Sequence, residues 1–207
     1  MTKSMRKVCE HDVELSDVER ELLAIGYRNL MSTKRDSLRT LSSIEKQEDS
    51  KGNKQNVKLI NKKLDMVKDE FFNVCNDILS LIDSHLIPST TNVESTKANY
   101  FRYMAEFGSD AEREGAADNS LEAHKIAMEM AEDGLSPTNL VRLGLALNFS
   151  IFNYGILKST ESACKLAKKA YDEAIFELDG VDKQSYEDAM FIVQILRDNL
   201  SAWTGEE

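Results

Sequence analysis

The segment before Gly205 carries the pattern that most restricts how this chain folds. Read at helical pitch, residues 186–205 place one stripe at spacings of i, i+4, i+7, i+11 and i+15, formed by Asp188, Ile192, Ile195, Asn199 and Trp203. An ordinary core stripe is uniformly apolar, whereas this one holds an amide in its middle and an indole near its end. It fits either a buried helix face with one satisfied amide or one wall of a groove that holds an extended chain.

The rest of the chain has the composition of an all-α protein. Its 207 residues include only 2 prolines and 9 glycines, and no segment alternates polar and apolar residues as a strand would. The patterns predict about eight helices in an antiparallel array within a single domain over residues 1–207. The long polar run 46–56 and the segment 108–115 are expected to be loops. Helices are expected over Val18–Glu45, Val57–Leu86, Ser95–Phe107, Asn119–Ala131, Ser136–Leu157, Thr160–Leu178 and from Asp182 onward.

The charge distribution excludes several classes of partner. The formal net charge is −10, with +2 in residues 1–75 and −12 in residues 76–207. A strongly acidic body argues against nucleic-acid binding, which needs a basic surface. The absence of an 18-residue apolar run argues against a membrane span. Three cysteines, an odd number without metal-ligand spacing, favour a reduced, cytoplasmic compartment.

The chain shows none of the patterns typical of an enzyme. His11, His85 and His124 are isolated from cysteines and carboxylates at ligand spacing. Each is therefore interpreted as a solvated or packed histidine. Neither a nucleophile elbow nor a phosphate-binding loop occurs. We expect no catalytic residues, no metal and no cofactor.

Four stretches are long enough to point to a family. Residues 194–204 read QILRDNLSAWT, residues 19–30 read ERELLAIGYRNL, residues 78–82 read ILSLI, and residues 142–152 read RLGLALNFSIF. Together they resemble the 14-3-3 family of phosphopeptide-binding adaptors over about residues 5–205. The resemblance implies antiparallel helices curved into a cup, with one amphipathic groove.

The resemblance assigns a phosphate pocket to Arg28, Arg35, Arg102 and Tyr103. A phosphoserine or phosphothreonine carries nearly two negative charges and three acceptor oxygens at neutral pH. Guanidinium groups match those oxygens with two parallel hydrogen bonds. The family usually has lysine at the position of Arg28, so the site stays cationic. Without the resemblance, the arginines of the first long helix would be interpreted as a solvated basic face.

The resemblance also assigns residues to the peptide chain itself. Asn148 and Asn199 match the two asparagines that clamp the peptide backbone. Two departures alter the edges of this groove: Gly155 replaces a glutamate of the family, and a shortened segment before Tyr100 lacks a groove lysine. Motif preference is therefore expected to shift. The apolar wall of the groove is expected to consist of Leu147, Ile151, Ile192, Ile195 and Trp203.

The leading functional hypothesis is an adaptor that binds phosphoserine and phosphothreonine motifs of client proteins and regulates them in signalling. The alternative is a helical scaffold that binds unphosphorylated partners because phosphate recognition has degenerated.

The resemblance also bears on self-association. Residues 5–14 match the later part of the family's second helix, so the first helix, which normally contributes to the dimer, is expected to be missing. Lys63 and Met66 replace a tyrosine and a lysine of the usual interface. We therefore expect a weak or altered homodimer. The apolar patch left exposed is expected to include Leu22, Leu64 and Val67.

Overall fold

A computed structural model describes residues 17–85 and 90–205 of the chain. Within these residues it contains helices, turns and one short 3-10 segment, and no strand, so the predicted all-α class is confirmed. The described part holds seven helices, where the sequence predicted about eight for the whole chain. Residues 5–14, matched to a family helix, lie outside the described residues. The helices are α1 (Asp17–Ser50), α2 (Lys54–His85), α3 (Thr91–Phe107), α4 (Asp110–Gly134), α5 (Leu140–Gly155), α6 (Thr160–Glu177) and α7 (Lys183–Thr204).

The chain divides into two compact units, Met1–Ile87 and Pro88–Glu207. The first contains α1 and α2, and the second contains α3 to α7. A single domain over residues 1–207 stays a prediction. None of the helices in the described residues combines the length and the apolar character needed to cross a membrane.

The expected loop at residues 46–56 is wrong in extent. Helix α1 continues to Ser50, and only residues 51–53 leave the helical conformation before α2 begins. The polar residues of this run are compatible with a solvated helix end, so polarity alone does not mark a loop. Gly52 is what ends the helix, because its φ of +75° lies in the left-handed region that favours glycine.

A single carboxylate bridges the end of α1 and the start of α2. Glu48 accepts hydrogen bonds from Lys51 Nζ at 2.8 Å, Asn53 Nδ2 at 2.8 Å and Asn56 Nδ2 at 2.7 Å. The Asn56 amide is the largest of several causes that lower the pKa of Glu48 to about 2. The last turn of α1 and the first turn of α2 therefore share one anionic acceptor.

The α1–α2 hairpin has its own apolar core. The Cys75 thiol of α2 lies 4.0 Å from the Met31 sulfur of α1, and burial raises the pKa of that thiol to about 12. Leu22 is exposed as expected, but Leu64 and Val67 are buried, so the predicted exposed patch is wrong for these two residues. They face the hairpin interior because they share its helical stripe with Phe71.

Helix α4 begins much earlier than the sequence suggested. Residues 110–118 are helical, and the turn predicted at 108–115 contains only Gly108 and Ser109. Glu112 begins the helix by accepting a hydrogen bond from the Ser109 backbone N–H at 2.9 Å. A Cβ at Gly108 would lie 3.0 Å from the Met104 carbonyl oxygen, so the tight turn favours glycine.

Small residues let α3 and α4 approach closely. Ala105 of α3 shares a buried cluster with Ala116 and Ala117 of α4. Ser120 of α4 is fully buried, and its hydroxyl donates to the Ala98 carbonyl of α3 at 2.8 Å. The hydroxyl buried between α3 and α4 is therefore satisfied by a backbone carbonyl of the neighbouring helix.

Helices α5, α6 and α7 surround the largest core cluster of the second unit. Helix α5 begins at Leu140 and not at Ser136, because the Asn139 side chain caps it by accepting from Val141 N at 2.9 Å. Asp182 caps α7, and Gly205 ends it at a φ of 72°. The buried cluster consists of Leu143, Ala146, Ala167, Ala170, Ala174, Leu178, Ala189, Val193 and Leu196.

Candidate functional site

Helices α5 and α7 pack together, and we use the name open face for the residues on them that were predicted to form the wall and the clamps. All of its members are half-buried, which means that each contributes both to the fold and to the surface. Leu147 of α5 and Ile192 and Trp203 of α7 pack against the same core cluster. Three residues of the predicted wall therefore meet at one core cluster, and a groove formed with the predicted clamps stays a prediction. The open face consists of Leu147, Asn148, Ile151, Ile192, Ile195, Asn199 and Trp203.

The side chains of the two asparagines of the open face have no hydrogen-bond partner among the described residues. Asn199 Nδ2 is buried and has no hydrogen-bond partner among the described residues. Within the same residues, the Asn148 side chain forms no hydrogen bond either. By contrast, Asn153, also on α5, donates from Nδ2 to the Phe149 carbonyl at 2.8 Å. A buried N–H without an acceptor costs free energy, so the Asn199 amide is not explained by the contacts of the described residues.

Sequence reasoning missed Tyr154, which lies beside the open face. Its ring stacks on Trp203 with a centroid distance of 4.8 Å and an interplanar angle of 16°. The signal was available, since Tyr154 follows Leu147 by seven residues and Ile151 by three, and so shares their side of α5. This stack links the end of α5 to the end of α7.

The departure at Gly155 leaves open space at that position of α5. A Cβ built at Gly155 would meet no atom within 4 Å. Its backbone lies outside the positive-φ region that requires glycine. Neither close packing nor the backbone conformation therefore requires a glycine at position 155.

Arg102 and Tyr103 of α3 form an oriented pair in the second unit. The Arg102 guanidinium carbon lies 4.6 Å from the centroid of the Tyr103 ring, and its Nη2 donates to Asn99 Oδ1 at 3.3 Å. Arg102 is only 9% exposed, so its packing restricts the guanidinium orientation. The Tyr103 ring in turn makes an edge contact with Tyr100 at 5.9 Å.

Arg28 and Arg35 lie on α1, in the first unit, and are seven residues apart. This spacing puts them on the same side of the helix. Arg28 is exposed and Arg35 is half-buried. The structure thus places two of the predicted phosphate ligands in each unit, and a joint pocket stays a prediction.

The histidine that the structure describes in full is a core residue. His124 donates from Nδ1 to the Ser120 carbonyl at 2.8 Å, and its ring stacks on Phe149 and Phe152 at 4.9 and 5.1 Å. Burial lowers its pKa to about 4. His11 and the side chain of His85 lie outside the described part of the chain. No group of three or more His, Cys, Asp or Glu residues able to hold a metal occurs among the described residues.

Comparisons with known proteins agree with the motifs. The family described as 14-3-3 protein matches residues 1–204. The 14-3-3-like protein GF14 epsilon of Arabidopsis thaliana is 56% identical over 212 aligned residues, which cover 100% of this chain and 84% of the relative.

Relatives from other organisms extend this similarity. The 14-3-3 protein 7 of Solanum lycopersicum is 49% identical, with coverage of 100% and 84%. The 14-3-3 family protein artA of Aspergillus flavus is 48% identical, with coverage of 100% and 90%. Proteins of this family are adaptors and not enzymes. With a family match over nearly its whole length and relatives at about half identity, the chain belongs to the 14-3-3 family.

Proposed function

We propose that this protein is an adaptor that holds phosphoserine- or phosphothreonine-containing segments of client proteins along the open face. The observation that carries the proposal is the buried Asn199 Nδ2, which lacks an acceptor among the described residues. A side-chain amide that is ordered on a half-exposed wall without an internal partner is suited to an external carbonyl. Family membership supports the phosphopeptide as the source of that carbonyl.

Asn148 and Asn199 provide both polarities that an extended backbone needs. Each side-chain amide offers one acceptor oxygen and two donor hydrogens. An extended peptide exposes N–H and C=O groups that require partners when water is displaced. The apolar members of the open face then cover the peptide's side chains. This arrangement recognises backbone without fixing most of the sequence.

Phosphate recognition is assigned to Arg28, Arg35, Arg102 and Tyr103. The Arg102 guanidinium is held over the Tyr103 ring, which limits the side-chain entropy lost on binding. Arg28 is exposed and forms no ion pair with any described residue, so a phosphate would not have to displace an internal carboxylate. The acidic balance of the whole chain makes such a local cationic set necessary for anion binding.

A direct test compares a fluorescent phosphoserine peptide with its unphosphorylated twin by fluorescence polarisation. We expect binding of the phosphorylated peptide only. Arg35→Glu should weaken it by about 2–4 kcal/mol, or roughly 30- to 1,000-fold, because a charge-assisted contact becomes a repulsion. Arg197→Glu is the matched control and should leave binding unchanged. Arg197 is exposed beside Asp198, on the side of α7 opposite to Ile195 and Asn199.

The pH dependence provides a second readout. Binding should weaken below about pH 6, where the phosphate regains its second proton while arginines stay charged. Equal affinity for the two peptides would overturn the proposal and leave the alternative, a scaffold for unphosphorylated partners.

Self-association is a separate part of the proposal. We propose a homodimer weaker than is usual in the family, because Lys63 and Met66 replace interface residues, and Met66 is exposed. Sedimentation equilibrium at micromolar concentration should show a mixture of monomer and dimer. A dimer that survives dilution to nanomolar concentration would contradict this.

A further inference from the structure

We infer that Asn99 of α3 is a positioning residue for phosphate recognition, which directs the Arg102 guanidinium without placing a negative charge beside it. The inference rests on the proposed function, because it concerns how one of the proposed phosphate ligands is held. Three observations carry it: the hydrogen bond between the two side chains, the anchoring of Asn99 itself, and the neutrality of its amide.

Asn99 supplies the directional contact to Arg102. Nη2 of Arg102 donates to Asn99 Oδ1 at 3.3 Å, while the guanidinium carbon lies 4.6 Å from the centroid of the Tyr103 ring. Contact with a ring face favours a cation without selecting one of its N–H groups, whereas a hydrogen bond selects one. Because the guanidinium is planar, fixing one of its five N–H donors fixes the directions of the others.

The amide of Asn99 is itself held in one orientation. Its Nδ2 donates to the Ser95 carbonyl at 2.9 Å, so Oδ1 is the atom that faces Arg102. Ser95, Asn99 and Arg102 are spaced at i, i+4 and i+7, which places all three on one side of α3. An acceptor that is already ordered can position the guanidinium with little further loss of entropy.

The ring beside Arg102 is also supported from within the second unit. Tyr103 makes an edge contact with Tyr100 at a centroid distance of 5.9 Å, and Tyr100 is buried. The Arg102 side chain is therefore held between an amide that is anchored to the helix backbone and a ring that packs against a buried residue.

The neutrality of the acceptor distinguishes a binding role from a structural one. For the fold alone, a carboxylate three residues before an arginine would give a charge-assisted contact, which is stronger than a contact to an amide. That carboxylate would repel an incoming phosphate dianion. An amide at position 99 keeps the direction of the guanidinium and adds no such repulsion.

The test is a double-mutant cycle measured by fluorescence anisotropy on the full chain, with a phosphoserine peptide and its unphosphorylated twin. Asn99→Leu removes the acceptor and should weaken phosphopeptide binding about 3- to 10-fold. Arg102→Lys keeps the charge but removes the planar fork. In that background Asn99→Leu should have almost no further effect, because Asn99 acts through Arg102.

Asn99→Asp separates direction from charge, because it preserves the shape of the side chain and its acceptor oxygen. It should also weaken phosphopeptide binding about 3- to 10-fold, while the thermal midpoint stays constant or rises with the gain of a charge-assisted contact. Raising the ionic strength from about 0.05 to 0.5 M should reduce this loss relative to the unmodified chain, since salt screens the added charge. The relative loss in Asn99→Leu should persist.

Thr96→Val is the matched control on the same helix. Thr96 Oγ1 donates to the Asn92 carbonyl at 2.7 Å, which is the same kind of bond to the preceding turn that Asn99 makes to Ser95. The variant loses a comparable local bond and keeps the acceptor of Arg102, so phosphopeptide affinity should remain unchanged.

The outcomes separate the two proposals. If the phosphorylated and unphosphorylated twins bind equally, the proposed function fails. If phosphorylation matters but Asn99→Leu has no effect, or has the same effect in the Arg102→Lys background, the positioning role is wrong and the proposed function stands. An Asn99→Asp variant that binds the phosphopeptide as tightly as the unmodified chain, or an equal loss in Thr96→Val, also overturns the inference.

Discussion

The two faces of helix α5 use the same kinds of residue in opposite ways. On the buried face, Ser150 donates to the Leu147 carbonyl at 2.8 Å and Asn153 donates to the Phe149 carbonyl at 2.8 Å. On the open face, Asn148 forms no hydrogen bond with any described residue. One helix thus carries a face whose polar groups are satisfied internally and a face whose amide remains available.

This contrast between the two faces separates structural polar groups from binding groups. A buried polar group that has a partner stabilises the fold, and removing it costs stability. A polar group without a partner adds no stability, and where it is buried it lowers the stability of the fold until a ligand provides the partner. Substitutions on the buried face should therefore change unfolding, whereas substitutions on the open face should change binding.

The largest effect is expected from the buried aromatic residue of α5. Phe152 is fully buried against small residues of α3 and α4, so Phe152→Ala should lower the free energy of unfolding by about 3–5 kcal/mol. Urea denaturation measures it. Tyr154→Ala, on the open side of the same helix, should cost no more than about 1.5 kcal/mol. Equal losses for the two variants would remove the distinction between the faces.

A pH effect is the next largest, and it tests the buried face at His124. The folded state holds this imidazole neutral with a pKa of about 4, because burial outweighs its hydrogen bond to Ser120, and Arg102 lowers the pKa further. Below the unfolded pKa of about 6.5, the unfolded chain binds a proton that the folded chain does not, so stability falls with pH. The loss should reach about 3 kcal/mol near pH 4 and then level off.

The control for this pH effect is His124→Phe, which keeps a ring between Phe149 and Phe152 but cannot titrate. Its thermal midpoint should depend less on pH between 6.5 and 4.5 than that of the unmodified chain. The carboxylates with lowered pKa values, such as Glu48, lose their contribution only at lower pH. Parallel pH profiles for the two proteins would contradict the role of His124.

An intermediate effect is expected at Asn199, and it concerns affinity. Asn199→Ala should weaken phosphopeptide binding by about 1–2 kcal/mol, or roughly 5- to 30-fold, because the peptide carbonyl loses its donor. The thermal midpoint should stay constant or rise slightly, since the substitution removes a buried N–H without a described partner. A large loss of stability with full affinity would make Asn199 a structural amide.

The smallest effect separates two asparagines on one helix. Asn153→Ala should lower the free energy of unfolding by about 1 kcal/mol because a buried hydrogen bond is lost. Asn148→Ala should change it by less than about 0.5 kcal/mol. Chemical denaturation of both variants is the measurement, and a reversed order would show that the open amide has a structural role.

Much of the fold followed from the sequence because helical stripes and helix caps are local signals. The start of α7 after Asp182 was predicted correctly. The errors at residues 46–50 and 110–118 have a common physical cause. Solvated helix ends are polar, and polarity was interpreted as loop, while the stop at Gly52 and the capping by Glu112 depend on φ and on hydrogen bonds.

The residues of the candidate site could be predicted from the sequence, but whether each polar side chain has a hydrogen-bond partner could not. The stripe through Asn199 could be read from the spacing alone, and Tyr154 could have been added by the same rule. Asn148 and Asn153, however, are equivalent as sequence letters. Only the geometry of α5 shows that one amide is satisfied by the Phe149 carbonyl and that the other is left without a described partner.

The connection between α1 and α2 around Glu48 affects the order in which the chain folds. Because only residues 51–53 separate α1 from α2, the loop that must close is short and its entropy cost is small. The carboxylate accepts donors from both sides of that loop, including Asn56, so the contact forms between residues that are already near in sequence. Low sequence separation favours rapid formation, and this corner is accordingly suited to form early and to align the two long helices before their distant ends meet.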